Sequence, residues 1–382
     1  MRKILRIILI TTLILLPHFE AHASESARTK IAEQLDRYGI SGYDTMVDSA
    51  VGSVEGMEGS SFSDIVFGTL NGSINLSFTE MLKTIAMRLF REVFESLSIM
   101  RNMLIIAILG AVLKSMSGAF GGNSVGEIGF YVIYVSLVSL LIVSFITASQ
   151  IAGDSISKMA GFIHALIPLI ITLLIASGRY AISFVFNPAA MGVIEIAAYL
   201  INNVVMKVIV FVATVQMVNF MLPAGMLDNL TELACGIIGK GLKILALAFM
   251  SVISLQTATA PIVGGMVGRG ARLAVSTVPV VGQVFAGAVD SVYYWANAVK
   301  NGVAAAAIII VLLICLAPIL KLLAIVLIYK LTAALIQPVA DERIVDCLDS
   351  AGNYVSLFIV AVTCVMVMLI ALLMMVMAAA IG

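Results

Sequence analysis

In a chain whose residues are 61% apolar and only 12% charged, the side chains able to do chemistry can be weighed one at a time. His164 is the single histidine after His18 and His22, so a Ser/His/Asp triad or a histidine-held metal would rest on that one imidazole. The four cysteines, Cys235, Cys315, Cys347 and Cys364, show no CxxC spacing and sit in or beside apolar runs. That is the setting of buried thiols, not of disulfides or metal ligands. "GIIGKGLK" at 236–243 lacks the GxxxxGK[ST] spacing of a phosphate cradle, and "GGMVGRG" at 264–270 fails GxGxxG. These residues point away from an enzyme and call for no cofactor and no metal. An intramembrane enzyme would have to draw on His164, Asp290 or Cys315. If energy is consumed, a separate ATPase or an ion gradient must supply it.

The more telling residues are polar groups set inside apolar runs. Glu195, Tyr199, Asn203 and Lys207 recur every four positions and drift slowly around one helical face. A charge at membrane depth costs of order 2.5–3.5 kcal/mol unless it meets protein or water. The stripe therefore lines an aqueous path or a subunit contact; the alternative is that it lies near helix ends, where Lys207 snorkels to the surface. A second stretch, 264–302, holds Gly264, Gly268, Arg269, Arg272, Pro279, Gly282, Gly287, Asp290 and Lys300 beside the aromatic cluster Tyr293, Tyr294 and Trp295. Proline frees a backbone carbonyl that lipid cannot satisfy, and small residues let helices approach closely. The stretch reads as a broken or re-entrant element packed inside a bundle. Candidate pore or subunit-contact residues are accordingly Glu195, Asn203, Lys207, Arg272, Pro279, Gly282 and Asp290.

The elements that must hold these groups are membrane helices. Mean hydropathy is +1.11, far above that of a water-soluble domain. Zero formal net charge leaves no basic stripe for nucleic acid. Residues 1–23 read as a secretory signal peptide, with Arg2, Lys3 and Arg6 before "IILITTLILL" and then "AHA"; an uncleaved anchor is the competing reading. Residues 24–98 hold eleven acidic and six basic residues and form a small, mostly helical exported region ending in an amphipathic helix. Its "SFTE" is a capping-box pattern. At this size it leans on the membrane domain or on another protein.

Residues 99–382 form the polytopic domain. Charge-poor runs at 102–119, 128–149, 159–177, 189–222, 244–262, 303–329 and 352–378 approach or exceed the roughly 20 residues of a spanning helix. The fold class is all-α, a polytopic integral membrane protein of about 7–9 membrane elements, some broken or re-entrant. The run 189–222 would be about 50 Å as one helix, so it tilts or splits at Asn202-Asn203; Pro318 and Lys321 interrupt 303–337. A translocated N-terminus puts Lys114 near the cytoplasmic face, with Arg179, Arg269 and Arg272 also placed inside. Pro168/Pro188 and Pro318/Pro338 share a twenty-residue spacing that a weak internal repeat would produce.

The signal, the short exported region, "ALIPLIITLLIASGRYAISFVFNPAA", "STVPVVGQVFAGAVDSV" and the long apolar C-terminal run together resemble the stage III sporulation protein AE family. The resemblance implies a multi-pass protein of the mother-cell membrane around the forespore, with residues 24–98 in the intermembrane space. It implies a non-enzymatic, permease-like subunit of a mother cell–forespore channel, alongside other membrane and ring-forming subunits and a separate ATPase. A self-contained secondary transporter of a small solute, with Glu195, Lys207 or Asp290 in its path, is the other function open at this point.

Overall fold

The computed structural model describes residues 62–70, 78–119, 123–176, 192–221, 226–276 and 281–378; residues 1–23, expected to be a signal peptide, lie outside them. Within them the chain is helical, with no strand. In chain order the helices are α1 (Phe62–Leu70), α2 (Phe78–Glu95), α3 (Leu97–Ala119), α4 (Asn123–Ala176), α5 (Gly192–Asn219), α6 (Asp228–Ser276), α7 (Val281–Ile336) and α8 (Glu342–Ala378). This is the expected all-α polytopic class. Among the described residues, five stretches are long and apolar enough to cross a membrane: Ile128–Ala176, Gly192–Asn219, Asp228–Val252, Asn297–Ile336 and Glu342–Met377. α2 and α3 supply a sixth candidate across a 44° bend.

Five or six is fewer than the seven to nine expected, for two reasons. Residues 1–23 are not among the described residues, and the runs at 128–149 and 159–177 are halves of one helix, α4. Nor does 189–222 split: α5 passes through Asn202-Asn203 by a single π turn, Ile201–Val205. α7 likewise continues through Pro318 and Lys321 to Ile336. The common cause is that a chain break among apolar surroundings orphans several backbone donors and acceptors, whereas a proline inside a helix orphans about one. Of the proline pairs, Pro168 and Pro318 both sit inside helices, and Pro188 lies outside the described residues.

Cross-helix contacts set the direction of each element. Ile133 on α4 faces Gly110 on α3, and Leu113 on α3 faces Gly129 on α4, so these two are antiparallel. The Tyr134 hydroxyl donates to the Met217 carbonyl of α5 at 2.7 Å, while Asn202 of α5 reaches Ser157 farther along α4, again antiparallel. Tyr134 also lies beside Cys347, and the Phe145 ring lies 6.4 Å from that of Phe358, so α8 runs parallel to α4. The Cys364 thiol points at the Leu242 carbonyl and Cys235 meets Tyr354, so α6 is parallel to α8. α7 turns back into α8 through Gln337–Asp341, with Lys330 and Asp349 paired at 2.8 Å across the hairpin. The result is an up-and-down bundle. α3, α5 and α7 end, and α4, α6 and α8 begin, at one extremity, the hairpin end. α4 is undivided, so Ala176 stands at the end of the bundle opposite Asn123; Arg179, expected on the same side as Lys114, lies outside the described residues.

α8 is the most buried of the spans and forms the axis of the core. Lipid gives no hydrophobic drive for helix pairing, so close packing and polar contacts must supply it. Phe145 fills the gap between Tyr329 and Phe358 at 6.5 and 6.4 Å. A Cβ at Gly110 would stand 3.2 Å from Ile133 and 3.4 Å from Ile344. Gly110→Val is expected to push α3 off the bundle and cost about 1–3 kcal/mol, read as a lowered thermal midpoint of the purified protein. At the opposite side, α1 buries Phe62, Ile65 and Val66, with Phe62 edge-on to Phe162 of α4 and Thr69 donating to the Gly302 carbonyl of α7. α2 leaves Met87, Phe90 and Phe94 exposed, and the chain bends at Ser96.

Candidate functional site

Glu195, Tyr199, Asn203 and Lys207 are all exposed on the outer side of α5. Side chains four apart on an ideal α-helix rotate about 40° per step. The π turn, in which Met206 N–H bonds Ile201 C=O, widens the winding between Tyr199 and Lys207 and holds the stripe more nearly straight; such turns recur at functional sites. Asn202, inside that turn, points the other way. Its Nδ2 donates to Ser157 Oγ at 3.1 Å and to the Gly153 carbonyl at 3.4 Å. One residue of the Asn pair ties α5 to α4, and its neighbour faces outward.

Glu195 Oε2 lies 3.7 Å from His164 Nδ1, within ion-pair reach when the imidazole is protonated. The two side chains differ in setting: His164 is 26% exposed and Glu195 73%. His164 Nε2 is buried and has no hydrogen-bond partner. His164 is the sixth residue of 159–178, a run with no Asp, Glu, Lys or Arg, so an exposed carboxylate stands beside a helix segment built for lipid. Sequence spacing identified the Glu195 stripe but not its link to His164, because the 30 positions between them carry no sign of which helices pair.

The other candidates fall where less is described. Arg272 belongs to helix α6, and Gly282 and Asp290 to helix α7, with side chains outside the described set; Pro279 lies outside it altogether. Helix α6 stops at Ser276 and α7 starts at Val281, so helix ends flank that proline. Lys300 is almost wholly buried, at 1% exposure, where α7 meets α1. Cys315 is also fully buried.

A polar knot at the hairpin end was not anticipated. Asn219 Nδ2 donates to Asp228 Oδ1 at 2.6 Å, and Asn219 Oδ1 accepts from Leu227 N–H at 2.9 Å. Thr231 donates to Gln216 Oε1, and Gln216 Nε2 reaches Asp228 at 3.4 Å. With the Tyr134–Met217 bond this closes α5 onto α6 and both onto α4. The signal available was the run of Gln216, Asn219, Asp228 and Thr231 around the sequence Pro-Ala-Gly, a composition typical of turns, where Asx side chains commonly satisfy loose backbone N–H groups.

A family model for stage III sporulation protein AE matches residues 60–380. Stage III sporulation protein AE of Bacillus subtilis (strain 168) is 29% identical over 352 residues, 92% of this chain and 87% of that protein. No solved structure matches. The match runs from just before α1 to just beyond α8 and so takes in α1, the polar stripe, the knot and the hairpin together: the chain belongs to the stage III sporulation protein AE family.

Proposed function

We propose that this protein acts in sporulation as a non-enzymatic, permease-like membrane subunit of a multiprotein channel between mother cell and forespore. It sits in the mother-cell membrane around the forespore, with residues 24–98 in the intermembrane space. It works with other membrane subunits and ring-forming subunits, and a separate ATPase supplies energy. The family supports the sporulation role. The single observation that carries the membrane-subunit reading is the exposure of Glu195, with Tyr199, Asn203 and Lys207 in line with it, on the outside of a bundle of apolar helices. A carboxylate there costs of order 2.5–3.5 kcal/mol against acyl chains. A partner subunit or a water-filled path removes that cost.

The test is disulfide or bismaleimide crosslinking of Tyr199→Cys and Asn203→Cys in membranes of sporulating cells. The reading expects crosslinks to another subunit through these positions and not through Ile244→Cys on the exposed face of α6. Purification of the protein alone, with no crosslink from either position, would remove the reading. The Glu195–His164 pair favours one competitor, a proton-coupled carrier. That competitor requires solute uptake by this protein alone in liposomes, abolished by Glu195→Gln.

A further inference from the structure

The contacts that align the helices also align their charges. Asn202 sits beside Gly153 and Ser157, which puts Lys207 slightly toward the hairpin end of Gly153. Cys364 at Leu242, with Phe358 at Phe145, puts Lys240 and Lys243 level with residues about 149–152 of α4. Lys330 at Asp349 and Tyr329 at Phe145 put Lys321 in the same band. Lys158 lies on α4 itself, one to two turns farther. All five lysines are exposed. They come from α4, α5, α6 and α7, which surround α8, and they fall within about 16 Å along the bundle axis.

Acids at this level are few. Asp154 stands one turn from Lys158, and where α3 reaches the band it hands over to α2, whose Glu95 is paired with Arg91 at 3.2 Å beside Glu92. Glu232 is two turns away toward the hairpin end. On the other side of the band the sequence carries no Asp, Glu, Lys or Arg from 159 to 178, from 244 to 268, or from 301 to 320. Each run is 20 residues or more, about 30 Å or longer as helix, the thickness of hydrocarbon. Toward the hairpin end, by contrast, α6, α7 and α8 carry Asp228, Glu232, Lys330, Asp346 and Asp349.

We propose that Lys158, Lys207, Lys240, Lys243 and Lys321 form one basic belt that binds the anionic phospholipid headgroups of a single leaflet. Their apolar stems lie along the helices and the ammonium groups reach the phosphates, as lysine does at an interface. The belt sets the depth of the protein in the bilayer.

The experiment uses the full chain in vesicles of phosphatidylcholine with phosphatidylglycerol. Spin-labelled phosphatidylglycerol is expected to bind the protein at least about threefold more strongly than spin-labelled phosphatidylcholine. Changing all five lysines to glutamine should bring that ratio close to one, while Lys330→Gln, whose ammonium is held by Asp349, should leave it unchanged. A ratio unaltered by the fivefold substitution overturns the proposal. So that it does not depend on the variant folding, the unaltered protein is treated with a membrane-impermeant amine-acylating reagent in sealed vesicles of uniform orientation. All five lysines should react from the same face, more slowly with phosphatidylglycerol present; reaction of Lys158 and Lys321 from opposite faces also overturns it.

Discussion

Glu195→Leu is expected to reduce heat-resistant spore formation by at least about tenfold while leaving the protein in the membrane at its normal level. Tenfold corresponds to about 1.4 kcal/mol, less than the cost of stranding a carboxylate in lipid. The sign of a second measurement makes the result decisive. If Glu195 faces acyl chains, leucine relieves a cost of order 2.5–3.5 kcal/mol, so the purified protein becomes more stable and sporulation is untouched. If it faces water or a partner subunit, leucine gains little stability and the activity falls. His164→Ala is expected to act in the same direction but more weakly, because His164 is largely covered by its own bundle and meets the stripe only through Glu195. A stabilised Glu195→Leu protein with full sporulation would end the subunit reading proposed above.

The second large effect is structural. Asn219→Leu removes two bonds at once, the donor to Asp228 and the acceptor for Leu227 N–H, and leaves both partners without Asn219 at the α5–α6 turn. Bonds to a charged group contribute about 1.5–3 kcal/mol, and an abandoned backbone donor adds to the loss. A destabilisation of about 2–4 kcal/mol is expected, measured as the shift in denaturant midpoint of the purified protein. Gln216→Leu should cost less, since its reach to Asp228 is a long 3.4 Å and Thr231 retains bonds to the Leu227 and Asp228 carbonyls. Equal effects from the two substitutions would show that the knot is not centred on Asn219.

The membrane class, the all-helical fold and the polar stripe on α5 were legible in the chain itself. Apolar run length and a four-residue recurrence are local properties, and one helix is enough to express them. Glu195, Tyr199, Asn203 and Lys207 needed no partner to be recognised as one face. What the chain alone did not decide was where helices stop. Asp154 and Lys158 look like a boundary between two spans, and Asn202-Asn203 like a split; both lie within unbroken helix. Polarity signals an end only when the alternative is lipid, and Asn202 instead finds Ser157 and Gly153 on the next helix. The Glu195–His164 pair, the knot around Asn219 and the common level of five lysines depend in the same way on which helices lie side by side. That choice is made by close packing, such as Gly110 against Ile133 and Phe145 between Tyr329 and Phe358, which no local pattern of residues records.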